Sequence, residues 1–201
     1  MRKATILLTA LLVVAFMGGS AYALSITATA SGSPNPDTAT HPDTVTNGDF
    51  TILGNNTHKL VGNGVDEDTV WDFDFTGDTN FGAFPTNVPL ASAMFSLTLN
   101  PQNALITTDA VKIEGLNGIT DPIQGLSVNT PSTVEFDLLD YYSSADILGA
   151  FTGGQISMRY TDDAILSGAS LELTPTPEPG TIVLLLTGLV GLAGARKKFM
   201  K

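Results

Sequence analysis

From Asp68 onward the apolar residues of this chain fall on every second position, run after run, and that period leaves little choice of fold. Residues 69–76 set Trp71, Phe73 and Phe75 against Asp72, Asp74 and Thr76. Residues 94–99 set Phe95, Leu97 and Leu99 against Ser96 and Thr98, and residues 110–114 set Val111 and Ile113 against Lys112 and Glu114. The same alternation returns at 133–138 (Val134, Phe136, Leu138), at 155–161 (Ile156, Met158, Tyr160) and at 169–174 (Leu171, Leu173). A helix cannot gather such a pattern on one face. A strand with one side on a core and the other in water produces it directly. Gly, Pro, Asn and Asp between the runs mark turns. Eight or nine short strands of this kind specify an all-β fold, an antiparallel β-sandwich of jelly-roll-like architecture.

The chain before these runs is more polar. Residues 25–30 alternate Ile26, Ala28 and Ala30 with threonines and read as an edge-like strand. Residues 31–48, with Pro34, Pro36 and Pro42, hold too little apolar surface to order themselves and read as a long loop or linker. Residues 50–53 and 58–61 are short strand candidates on either side of the turn Gly54-Asn55-Asn56. Within 140–151, Ser143 or Ser144 can cap a helical turn that Gly153 and Gly154 end, and this segment reads as a crossover between sheets. It carries Tyr141 and Tyr142, the expected exposed aromatic pair.

Both ends differ in composition from the middle. Arg2-Lys3, the apolar run 6–17 and the small residues Ala21 and Ala23 form a secretory signal peptide, expected as a helix and cleaved before Leu24. At the other end Pro175, Pro177 and Pro179 fix φ and withhold backbone donors, so that segment stays extended. Residues 181–195 then contain no ionisable group. As a helix they reach about 22 Å, short of the roughly 30 Å hydrocarbon core. Arg196, Lys197, Lys198 and Lys201 follow and would hold that end in the cytoplasm. The organisation expected is a signal peptide at 1–23, a polar region at 24–66, the sandwich at 67–174 and a sorting or anchor segment at 175–201.

Pro177-Glu178-Pro179, an apolar run and a terminal basic cluster, with a secretory signal at the opposite end, together resemble the PEP-CTERM sorting signal of Gram-negative bacteria. The resemblance covers residues 175–201. Lysines outnumber arginine in the basic end, where the family tends toward arginine. The resemblance implies recognition near Pro177-Glu178-Pro179 by exosortase, an integral-membrane cysteine transpeptidase. It implies passage through the secretion translocon, a stage in the inner membrane with the C-terminus inside, and then a surface or extracellular fate. Exopolysaccharide and biofilm are the setting it implies. A plain C-terminal membrane anchor is the alternative.

Residues 24–179 carry three bases against twenty acids, a net charge of −17. Such a surface repels phosphates, which excludes a nucleic-acid partner. Cysteine is absent, which excludes thiol catalysis and zinc–thiolate sites. His41 and His58 have no partner at metal-ligand spacing, and no nucleophile elbow, zinc helix or phosphate loop occurs. The chain therefore reads as non-enzymatic, with an exported hydrolase as the weakest alternative. Asp72, Asp74 and Asp78 are the residues closest to a calcium site, and no other cofactor is indicated. A solvated polar face explains the same three carboxylates. Asp162-Asp163 reads as turn chemistry. Trp71 shares its face with Phe73 and Phe75 and is expected in the core, a carbohydrate-binding platform being the other reading.

Overall fold

The alternating runs are strands, and their partners place them in two sheets. The computed structural model describes residues 24–54, 59–106 and 108–177. Its elements are β1 (Ile26–Ser31), β2 (Ala39–Thr40), β3 (Thr44–Asn47), β4 (Phe50–Gly54), β5 (Leu60–Val61), β6 (Glu67–Asp74), β7 (Leu90–Pro101), β8 (Ala110–Ile113), β9 (Ser132–Asp137), α1 (Ser144–Ala150), β10 (Gln155–Asp162) and β11 (Ala164–Pro175). One sheet has the order β1-β11-β7-β9 and the other β3-β4-β6-β10-β8, with β2 and β5 as a separate pair. All the strand pairings between these elements are antiparallel. The signal helix expected over 1–23 and the apolar helix expected over 181–195 lie outside the described residues. Among the described residues no helix is long and apolar enough to cross a membrane.

The apolar faces of the two sheets meet. Phe73 of one sheet packs edge-on against Phe95 of the other at 6.1 Å between ring centroids. Ile156 and Met158 from β10 and Leu171 and Leu173 from β11 are buried in the same cluster. Trp71 lies between Phe50 and Phe73, at 5.6 and 6.1 Å, both contacts T-shaped. Leu24–Pro175 forms one compact unit around this core.

Residues 31–48, read as a loop or linker, are ordered in place. They contribute β3, the edge strand beside β4. The signal overlooked is Asn47, 4% exposed. Its amide accepts the Ser33 N–H and donates to the carbonyls of Ser33 and Leu166, so one side chain ties the polar run to β11. Gly48 turns β3 into β4 at φ 63°, where a Cβ would lie 2.1 Å from the Ser31 carbonyl oxygen. The tyrosine pair also divides. Tyr141 is exposed, but Tyr142 is buried and donates its hydroxyl to the Asn117 carbonyl at 2.6 Å. Helix α1 begins at a capping box in which Ser143 and Asp146 satisfy each other's backbone N–H groups. It carries the chain from β9 in one sheet to β10 in the other.

Candidate functional site

The acidic run around Trp71 is spent on hydrogen bonds. Asp72 accepts from the Ser157 hydroxyl. Asp74 accepts the Thr76 hydroxyl at 2.6 Å and the Thr76 N–H at 2.9 Å, which hold its carboxyl below the usual range, the hydroxyl contributing most. Asp78 is held low by the N–H groups of Asn80 and then Thr27. Thr27 and Ser31 belong to the edge strand β1, and Asp78 and Asp49 cap their N–H groups at 2.9 and 2.8 Å. Edge donors turned on to side chains in this way are withheld from another strand. Glu67 is buried, and the N–H groups of Gly62, Asn63 and Gly64 close around its carboxylate at 2.6–3.0 Å.

A different carboxylate group forms where β10 passes into β11. Only Asp163 separates the two strands, yet they belong to different sheets. Asp162 takes φ 100° and Asp66 takes φ 52° at this corner. Carboxylate oxygens of Asp66, Asp162 and Asp163 lie within 4.8 Å of one another. Asp163 accepts the Asp66 N–H at 3.0 Å. Beneath them lies Asp109, 0% exposed, whose Oδ1 accepts the Asp163 N–H at 2.9 Å and the Tyr160 hydroxyl at 3.3 Å. Its Oδ2 accepts the Ile106 N–H at 2.5 Å. Burial above all, and then the Asp109 charge, push the Tyr160 phenol far up. Three carboxylates can offer oxygens to a hard cation, though calcium takes about six to eight. The hydrogen bonds give this corner a plain structural task, fixing a sharp change of sheet. Asp109 was not singled out in the sequence, where it is a lone acid before a strand.

The outward faces of the two sheets differ in chemistry. On the five-stranded sheet Arg159 binds Glu114 at 2.6 Å and Asp68 at 2.9 Å. The four-stranded sheet has no Lys or Arg in any of its strands. Its pairing aligns Thr27, Glu172, Met94 and Asp137 in one row, and Thr29, Ser170, Ser96 and Glu135 in the next. A trough of about 240 Å³ runs over these rows, lined by Thr27, Met94, Ser96, Glu135, Ser170 and Glu172. Asp137 accepts the N–H groups of Ala93 and Leu139 at its Oδ1. Glu135 and Glu172 make no hydrogen bond or ion pair among the described residues. A second, aromatic cleft of about 480 Å³ lies between Phe81, Phe84 and Phe151, floored by Gly153 and Gly154. A Cβ on Gly154 would meet the Phe81 ring at 2.7 Å.

Of the sorting residues, Leu24 precedes β1, and Pro177 is exposed two positions after β11. Ala21, Ala23, Glu178, Pro179, Arg196, Lys197 and Lys198 lie outside the described residues.

Comparison with curated proteins finds no match. Among solved structures the chain is similar to CBM35 from Cellvibrio japonicus Abf62, at 9% identity and TM-score 0.32 over 77% of this chain and 99% of that one. It is similar also to the xylan-binding module CBM15, at 15% identity and TM-score 0.28 over 76% and 92%. A third likeness is to the enzymatically active domain of bacteriophage CBA120 tailspike protein 4, at 11% identity and TM-score 0.26 over 75% and 19%. Likenesses of this size carry neither a ligand nor an activity across. The family model of the PEP-CTERM protein-sorting motif matches residues 175–198. Beginning at Pro175, the end of β11, the chain carries a PEP-CTERM protein-sorting motif, the address of an exported exosortase substrate.

Proposed function

We propose that this chain is a non-catalytic surface or extracellular-matrix protein that exosortase processes at Pro177-Glu178-Pro179. The observation that carries the reading is the sorting motif at 175–198, joined without a spacer to an acidic β-sandwich. Residues 181–195 enter the inner membrane with the basic cluster inside, because moving several cations through hydrocarbon costs on the order of 3 kcal/mol or more per charge. That geometry stalls export and leaves Pro177-Glu178-Pro179 at the outer boundary. The prolines keep the segment extended and lower the entropy lost when an active site grips it. Glu178 is the one charged handle there. After processing the sandwich is released or attached outside, where its role is structural or adhesive and tied to exopolysaccharide.

The test is a membrane-fraction immunoblot in a host carrying exosortase. Glu178→Ala and Pro179→Ala should each leave uncut precursor in the inner membrane. Deletion of residues 181–201 should release unprocessed protein to the periplasm. Processing of both point variants at the wild-type level would reduce the tail to a plain anchor.

A further inference from the structure

We infer that the outward face of the β1-β11-β7-β9 sheet binds a polysaccharide chain bearing free amino groups, with Glu135 and Glu172 as the two charged contacts. The inference deepens the matrix reading above and takes from it the kind of ligand the protein meets. It takes the binding face from the side chains alone.

On the outward face of the five-stranded sheet and along the edge of β1 the carboxylates are spent. Asp68 and Glu114 hold Arg159, Asp72 holds Ser157, Asp74 holds Thr76, and Asp49 and Asp78 cap β1. Glu135 and Glu172 stand across the trough from each other with no base in any strand of their sheet. They are two strands apart and one pleat out of step, since Glu172 pairs with Met94, and Glu135 with Ser96. With strands about 4.8 Å apart and a rise of about 3.4 Å per residue, their Cα atoms are separated by about 12 Å. Standing upright from the sheet, the two side chains keep their carboxylates about that far apart, whereas two oxygens on one calcium lie no more than about 5 Å from each other. It suits two cationic groups spaced along an extended ligand that crosses the strands obliquely.

The floor between the carboxylates identifies the rest of the ligand. Ser96 and Ser170 lie side by side in one row, and Thr27 begins the row that contains Glu172. Hydroxyls both donate and accept, which matches a polyhydroxylated chain better than a peptide or lipid. Met94, 42% exposed, is the one large apolar side chain in the trough with much surface in water. An apolar protein partner would find too little to bury. Charge excludes phosphate polymers and acidic sugars. Amino sugars combine the hydroxyls with the cations.

The probe is a fully de-N-acetylated glucosamine hexamer, titrated calorimetrically into the full-length chain in detergent micelles. The acetylated hexamer and a lysine hexamer serve as controls. The de-acetylated hexamer should bind, and both controls should bind at least tenfold more weakly. Glu135→Gln and Glu172→Gln should each weaken binding by roughly tenfold, the loss of one charge-assisted contact. Ser96→Arg should block the trough. All three substitutions sit on the solvent face, and unchanged urea unfolding followed by Trp71 fluorescence would show that the fold is kept. The inference is overturned if the amino hexamer does not bind, if the acetylated or lysine hexamer binds as tightly, or if both glutamine variants bind like wild type. Processing assays on the same variants keep the two readings apart. Normal processing with no hexamer binding sinks this inference alone, whereas hexamer binding in a chain whose Glu178→Ala and Pro179→Ala variants are both still processed sinks the sorting reading alone.

Discussion

Asp109→Ala should unfold the corner where the chain changes sheets. Three donors lose their acceptor: the Asp163 N–H, the Tyr160 hydroxyl and the Ile106 N–H. Ile106 is 56% exposed, so its N–H passes to water at small cost. The other two donors are buried. An orphaned buried donor costs about 1–3 kcal/mol, and the long 3.3 Å tyrosine contact takes the lower end, giving a loss of about 2–4 kcal/mol. Asp109→Asn keeps one carbonyl oxygen but turns an NH₂ group on to a donor, and should lose about 1–2 kcal/mol. Urea unfolding of residues 24–175 reads both, with the single tryptophan, Trp71, as the probe. For the alanine variant the midpoint should fall by about 1–2 M at an unchanged slope. A shift of the alanine variant below about 0.5 kcal/mol would show that the corner is held by packing instead, and would refute the role given to Asp109.

Trp71→Ala should cost about 3–5 kcal/mol, read from near-ultraviolet circular dichroism during denaturation, since the ring fills the space between Phe50 and Phe73. Trp71→Phe should cost far less than that, because the indole N–H is buried with no acceptor among the described residues and its removal offsets part of the lost volume. Alkaline stability should fall between about pH 10 and pH 12, because burial pushes the Tyr142 phenol up to about 12 while the unfolded chain releases that proton near 10. The native state thus holds a proton that the unfolded state gives up, so stability is full below pH 10 and declines as pH rises, by about 3 kcal/mol for this group. Tyr142→Phe should flatten that limb of a pH–stability curve, and an unchanged limb would assign it to other groups such as Tyr160.

How much of this was legible in the sequence depends on whether the signal was local. Strands β6 to β11 follow from period-two alternation, and a cap at Ser143 or Ser144 follows from local sequence, the structure choosing Ser143. The order at 31–48 was hidden because it depends on Asn47 reaching the Leu166 carbonyl, 119 residues away. The carboxylate group was hidden for a similar reason. Asp66 meets Asp163 only after β6 has paired with β10, and no spacing in the chain announces a contact 97 residues long. The hydroxyl face was half legible. Ser96, Ser170, Glu135 and Glu172 each read as outward residues, but the alternation of one strand does not name the strands beside it. Tyr142 was misplaced because two adjacent tyrosines in a polar segment look alike until one hydroxyl finds a carbonyl.

The order of strands in the four-stranded sheet has a consequence for export. Its inner strand β11 is the last among the described residues, and it pairs with β1 on one side and β7 on the other. A polypeptide crossing a membrane from its N-terminus delivers β1, β7 and β9 first and leaves β1 without its neighbour until residue 175 has emerged. The pairing of β1 with β11 therefore waits for the newest part of the translocated chain. Since Pro177 follows two residues after β11, completion of the fold and arrival of the sorting motif fall at the same moment of translocation. On the proposed reading, a processing enzyme acting at Pro177-Glu178-Pro179 would then meet a finished domain instead of a half-exported one.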